Sequence, residues 1–201
     1  GMKDKAKRNE LLNQMLTQVG LDPSYSDRYP NELSVWQRHR ISIVGALILN
    51  SKFIGADEPV SALDVTVQSQ VLKLLLDLHR THQLTYLFIS HDLNIVRHFC
   101  NRVIVMYLGE IVEEAEVEEI YEDPKHPYTQ LLFHSILTDE RKLQKITDVE
   151  QNRQDAAAEG CPFYHRCMSR SDGCREKRPE RINLNPEGSA PHWVKCFKYQ
   201  S

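Results

Sequence analysis

The stretch FIGADEPVSALD, residues 53–64, sets two adjacent carboxylates, Asp57 and Glu58, at the end of a short apolar run, with Asp64 seven residues beyond Asp57. Adjacent acids at the mouth of a buried strand are costly unless a positive partner, such as a metal ion with a phosphate, shares the site. An apolar strand ending in Asp and followed at once by Glu suits that use. The first acid holds the water shell of Mg²⁺ and the second orients a water that attacks a nucleoside triphosphate. One strand further along, FISHD puts His91 just past the C-terminal edge of the same sheet, where open α/β sheets take their ligands. Taken singly, an Asp-Glu pair reads as a solvated strand end and a lone His as a surface residue. Together, in this order, they point to phosphate chemistry.

A second group lies in the last forty residues: Cys161, Cys167, Cys174 and Cys196, with five, six and twenty-one residues between them. Disulfides are disfavoured in a reducing compartment, and the C-x₂-C pairs of zinc ribbons are absent. Four thiolates can hold an iron–sulfur cluster, which tolerates wider loops. A [4Fe–4S] cluster, zinc, and empty or oxidised thiols all stay open. Cys100, on an expected helix, reads as a buried structural thiol.

The elements that must position these residues are set by hydrophobic period. Leu11, Leu12, Met15, Leu16 and Val19 mark one face of a helix that Gly20 and Pro23 stop. After the loop DPSYSDRYPNE, Ser34 can cap a helix with Ile41, Val44, Leu47 and Ile48 inward. KFIGAD then reads as a buried strand, Thr66 to His79 as a helix with Val67, Val71, Leu74, Leu75 and Leu78 on one stripe, and LTYLFIS, residues 84–90, as the next strand. That order predicts a parallel α/β sheet with right-handed crossovers, covered on both faces. HDLNIVRHFC is expected to be helical, RVIVMYLGEIVEEA to form two strands around Gly109, and residues 116–137 to be helical around DPKHPYT. The polar residues 147–160 read as a linker.

At 201 residues with 41% apolar and 26% charged composition, the chain has the make-up of an ordinary globular protein. Its longest apolar run, Ile43 to Leu49, is far below the roughly 20 residues of a membrane-spanning helix, and no signal-peptide pattern opens it. Gly1 before Met2 reads as a scar of tag removal. A cytoplasmic location is expected. A net charge of −3 gives no case for nucleic acid, but the sign is uneven. Residues 110–123 carry eight acids and no base, whereas 161–201 carry eight Lys or Arg against four acids. The acidic run reads as a solvated face.

From about residue 30 to 137 the sequence resembles the ATP-binding subunits of ABC transporters. ADEPVSALD is similar to their Walker B and D-loop segment and ISHD to their switch-histidine segment. VMYLGEIVE and DPKHPYTQLL narrow the resemblance to the oligopeptide and dipeptide importer branch. It implies a P-loop NTPase fold, with Asp57 on Mg²⁺, Glu58 as general base, Asp64 in a dimer-contacting D-loop and His91 sensing the γ-phosphate of ATP. CPF-x-x-RC and HWVKC, including His192 and Trp193, resemble the branch's cysteine-rich C-terminal motif, which implies a [4Fe–4S] cluster; the lead-in QNRQDAAAEG departs from its usual proline-rich one. The expected divisions are a partial ATP-binding domain at 1–137, a linker at 138–160 and the cysteine-rich segment at 161–201.

Two departures shape the expectation. No GxxxxGK[ST] occurs in the sequence. The family's phosphate cradle is such a loop, whose backbone N–H groups wrap phosphates at a helix N-terminus. The chain therefore reads as the C-terminal part of an ATPase subunit, inactive alone, with a gap between the strands at 84–89 and 103–107 that favours self-association. The second departure is LSVWQRHR where the family reads LSGGQ: Ser34 and Gln37 are retained for the γ-phosphate of an opposite subunit, while Val35 and Trp36 replace two glycines. Two functions compete. One is an ATP-binding subunit, or a fragment of it, working with a second such subunit and two membrane permeases at the inner face of the membrane. The other is a degenerate, non-hydrolysing module with binding or regulatory duty. A chromosome-maintenance ATPase is disfavoured by HPYT and the cysteines.

Overall fold

A computed structural model describes residues 4–61, 63–137 and 159–200. Most of the expected linker, residues 138–158, lies outside the described residues. The chain divides into two compact units, Gly1–Asp92 and Leu93–Ser201.

The first unit runs α1 (Lys5–Gln18), α2 (Val35–Ile48), β1 (Phe53–Asp57), α3 (Val65–His82) and β2 (Thr85–Ile89). β1 and β2 pair in parallel, Phe53 against Thr85 through Asp57 against Ile89. Helices α1, α2 and α3 bury Leu16, Val19, Val44, Leu47 and Leu78 around Ile54 and Tyr86 on one face of this pair. The opposite face carries Phe53, Leu87 and Ile89, which are 57%, 47% and 49% exposed. The expectation of a sheet covered on both faces is therefore corrected: the helical stripes of all three helices converge on the same side. Gly20, at φ +70°, ends α1 where the Arg40 guanidinium crosses it. A Cβ there would lie 2.5 Å from Arg40 Nη1.

In the second unit, α4 (Leu93–Phe99) precedes β3 (Arg102–Tyr107), β4 (Glu110–Glu116), α5 (Val117–Glu122) and α6 (Pro127–Leu137). The cysteine-rich segment adds α7 (Gly173–Glu176), β5 (Ile182–Asn183) and β6 (Trp193–Val194). The sheet order is β3-β4-β6-β5, antiparallel throughout. β2 and β3, expected to flank a gap, belong to separate sheets. The Leu108-Gly109 turn, with both residues at positive φ, folds β4 back along β3.

One irregularity in that hairpin decides where Glu113 points. Met106 pairs with Ile111, but Val105 pairs with Glu113, so Val112 is an extra residue on β4. Such a bulge re-aims the side chains beyond it. Strict alternation after the buried Val112 would turn Glu113 outward; instead both are buried, Glu113 at 1% exposure.

Candidate functional site

The carboxylates stand where the sequence placed them. Asp57 ends β1 in register with Ile89 at the end of β2, so Glu58 and His91 leave the same edge of the parallel pair. His91 Nδ1 lies 2.7 Å from Glu58 Oε1. Hydrogen bonds from His91 and Ser61 hold the Glu58 carboxyl below the usual range, so it is ionised at neutral pH. The Glu58 backbone sits at φ +47°, a left-handed conformation uncommon for a residue with a Cβ, and its N–H donates to the Ile89 carbonyl at 2.9 Å. Strained non-glycine residues concentrate at functional sites. The pair is exposed at the strand ends, open to a ligand.

The other residues of the expected nucleotide site have local partners. Asp64 caps α3, its side chain accepting the Val67 N–H at 3.0 Å. Ser34 and Gln37 form a reciprocal capping box at the start of α2, in which Ser34 Oγ accepts the Gln37 N–H and Gln37 Oε1 accepts the Ser34 N–H. The Gln37 amide donates to Tyr25 Oη at 2.8 Å. Trp36 lies along its own helix, with the Arg40 guanidinium 3.6 Å above its ring, an i, i+4 cation–π pair. Nothing in these contacts needs a phosphate.

In the second unit, Cys161, Cys167, Cys174 and Cys196 line one cavity of about 230 Å³. The Cys161 N–H donates to the Cys174 carbonyl at 2.8 Å, which joins the two loops. Gly160 makes this approach feasible, since a Cβ there would fall 2.4 Å from the Arg175 carbonyl oxygen and 2.6 Å from that of Cys174. Burial pushes the Cys161 thiol up to about 11, and burial also raises Cys167 and Cys196. Neighbouring cysteines add to the rise at Cys161, Cys167 and Cys196. Among the described residues no three His, Cys, Asp or Glu side chains converge as they must on a single metal ion. Cys100 is half-buried against the core of the unit, its thiol raised by burial.

The reading of the acidic run as a solvated face holds for Glu116, Glu118, Glu122 and Asp123, which are exposed, and is corrected for Glu110, Glu113 and Glu114, which seat the basic segment. Glu110 pairs with Arg178 and with Lys195, at 3.5 Å for the latter. Glu114 pairs with Arg181 and, at 2.8 Å, with Arg102. Glu113, turned inward by the bulge, accepts the backbone N–H groups of Lys125 at 2.7 Å and His126 at 2.9 Å, and lies 2.7 Å from His192 Nε2. His192 Nδ1 sits 2.9 Å from Glu119 Oε1, an ion-pair distance without hydrogen-bond alignment. Burial alone works against a charged His192, but Glu113 and Glu119 outweigh it and raise its pKa. His126 is the opposite case: burial lowers it to about 4 against the pull of Glu113, so it is neutral. Glu113, His126 and Glu119 thus tie DPKHPYT to HWVKC. Sequence reading missed this set; the opposite charge of the two segments was its signal.

The chain is similar to known proteins. A family model described as "Oligopeptide/dipeptide transporter, C-terminal region" matches residues 112–174. The chain is 43% identical over 198 residues to the oligopeptide transport ATP-binding protein AppF of Bacillus subtilis, which covers 96% of this chain and 59% of that protein. It is 40% identical over 196 residues to the di/tripeptide transport ATP-binding protein DppF of Pseudomonas aeruginosa, covering 96% of this chain and 61% of that one. The chain therefore spans about three-fifths of the length of these relatives. Among solved structures, the ADP conformation of MJ1267, an ATP-binding cassette of an ABC transporter, superposes with TM-score 0.54 at 28% identity, over 65% of this chain and 52% of the cassette. An inward-facing metal-chelate type ABC transporter gives TM-score 0.57 at 30% identity, over 66% and 51%.

Proposed function

This chain belongs to the ABC transporter ATP-binding subunits of the oligopeptide/dipeptide branch, matching their C-terminal part, and we propose that it supplies the hydrolytic half of an ATP site that drives peptide import. The observation that carries this reading is the Glu58–His91 pair at the ends of adjacent parallel strands. Glu58, ionised and aimed by His91, accepts the proton of a water attacking the γ-phosphate. Asp57, one residue earlier at the same edge, holds the water shell of Mg²⁺, whose charge steadies the phosphates. His91 contacts the γ-phosphate through Nε2, the ring nitrogen turned away from Glu58. Ser34 and Gln37 bring the start of α2, and Asp64 the start of α3, toward the second subunit. The 201 residues hold no GxxxxGK[ST], so the phosphate cradle comes from other sequence. Two permeases complete the importer at the inner face of the membrane. Phe53, Leu87 and Ile89 offer an apolar face for association. No helix among the described residues is long and apolar enough to cross a membrane.

A [4Fe–4S] cluster on Cys161, Cys167, Cys174 and Cys196 is the finer part of this reading, and the one observation behind it is that the four thiols line one cavity. Cys161, Cys167, Cys174 and Cys196 would hold the cluster as thiolates, and its positive charge would offset the burial that raises Cys161, Cys167 and Cys196. When bound it supplies a one-electron couple set by its surroundings. Iron and sulfide analysis of protein isolated without oxygen tests this point.

The whole reading is tested by peptide uptake in cells whose only copy of the subunit carries Glu58→Gln. Loss of di- and oligopeptide uptake with free amino-acid uptake intact is expected. Unchanged peptide uptake favours the second reading, a non-hydrolysing module, for which Val35 and Trp36 in place of two glycines are the specific observation.

A further inference from the structure

Glu58 is held in an uncommon conformation, and residues outside the expected nucleotide site do part of the holding. A left-handed φ of +47° is strained for a residue with a Cβ and persists where the surroundings fix it. On the N-terminal side the fixing bond runs from the Glu58 N–H to the Ile89 carbonyl on β2. On the C-terminal side it comes from Ser61. The Ser61 hydroxyl donates to the Glu58 carbonyl at 3.1 Å and the Ser61 N–H reaches the same oxygen at 3.4 Å, which closes a turn over residues 58–61. That turn is itself anchored. Val60 is 2% exposed, and its carbonyl accepts the side-chain amide of Gln68 at 3.1 Å. Gln68 stands in the first turn of α3, where its own N–H donates to the carbonyl of Asp64, the cap of that helix. Glu58 is thus pinned between β2 and the start of α3, with its carboxylate 2.7 Å from His91.

We propose that Ser61 and Gln68 are positioning residues for Glu58: the Ser61 hydroxyl holds the Glu58 backbone left-handed, and the Gln68 amide holds the turn that carries Ser61, so the carboxylate stays against His91. The proposal rests on the reading of Glu58 as general base. Fixing a base matters because a misplacement of about 1 Å can cost about 10²-fold in rate. His91 first, and Ser61 after it, also keep the Glu58 carboxyl below the usual range. Both positioning residues act through Glu58.

The test follows the Glu58 carboxyl by ¹³C NMR against pH in the full chain, unsubstituted and as Ser61→Ala, Ser61→Thr and Gln68→Met. Ala removes the hydroxyl and Thr keeps it, while Met keeps the length of Gln68 without its amide. Ser61→Ala is expected to raise the carboxyl's titration midpoint toward that of an ordinary glutamate, Ser61→Thr to restore it, and Gln68→Met to raise it by less. In the proposed importer, Ser61→Ala is expected to lower kcat about tenfold with KM for ATP within about twofold, and Ser61→Thr to recover most of that loss. Equal midpoints in all these proteins, or equal rises in the Ala and Thr variants, overturn the proposal and leave the general-base reading standing. Where Ser61→Ala fails to fold, an unmoved midpoint in folded Gln68→Met overturns it. A kcat that Ser61→Ala leaves unchanged also overturns it. Turnover that Glu58→Gln leaves unchanged overturns the general-base reading and the proposal with it.

Discussion

Replacing Glu113 with Gln is expected to destabilise the second unit far more than any other single carboxylate change on β4 or α5. The carboxylate is buried and serves three donors: the N–H groups of Lys125 and His126 and the ring of His192. Hydrogen bonds to a charged group contribute roughly 1.5–3 kcal/mol each. Breaking a buried ion pair by removing one partner costs about 3–5 kcal/mol. Gln keeps the shape and one acceptor but turns an N–H toward groups that need acceptors, so a loss of about 3 kcal/mol is expected, against a whole-domain stability of about 5–15 kcal/mol. The two tryptophans make the assay selective, since Trp36 lies in the first unit and Trp193 in the second. In a Trp36→Phe background, denaturant unfolding followed by Trp193 fluorescence reads the second unit alone. Glu118→Gln, at an exposed position, is the control and should shift stability by no more than about 0.5 kcal/mol. A cost for Glu113→Gln within about 0.5 kcal/mol of that control would refute the claim that this carboxylate clasps the two segments.

Other perturbations probe separate links. Gly160→Ala forces a methyl group onto two carbonyl oxygens, so Cys161 should separate from Cys174; faster alkylation of Cys161 and Cys174 by a thiol reagent would show it. The second unit should lose stability in acid, because His126 titrates at about 4 when folded and near 6.5 when unfolded. Its neutral form is needed, so the contribution is complete above pH 6.5 and falls away toward pH 4, by up to about 3 kcal/mol; His126→Asn should flatten that limb. His192 works in the opposite sense. Its raised pKa makes its contribution complete below the ordinary imidazole range and lost as pH climbs through the raised value, so His192→Gln should flatten the alkaline limb of the same unfolding profile. Asp64→Ala removes the α3 cap and should cost about 1 kcal/mol in the first unit, read by Trp36 fluorescence.

What the sequence disclosed, and what it hid, divides along physical lines. Strand ends with carboxylates and a histidine were legible because burial fixes strand period and leaves the edge residues in order; Asp57, Glu58 and His91 stand as that order requires. The helices were legible for the same reason, with α3 starting one residue before its expected stripe because Asp64 caps it. Glu113 was not legible. A carboxylate in an acidic run reads as solvated unless a bulge at Val112 turns it inward, and a bulge leaves no mark in a hydrophobic pattern. His192 and His126 were hidden by distance, being joined across 79 and 13 residues of chain from Glu113. The short strands β5 and β6 have too few residues to show a period, and β6 owes its place to pairing with β4. The bare face of β1 and β2 was misread because the alternating pattern tells which residues face a partner and not whether one is present.

The most direct test of the proposed role is ATP turnover by the proposed importer, assembled with a subunit that contains residues 1–201, measured with Glu58 and with Glu58→Gln. Loss of a general base typically costs about 10²–10⁴-fold. The account predicts a fall of that size with nucleotide still bound. Turnover by the Glu58→Gln importer within threefold of the unsubstituted one would contradict it.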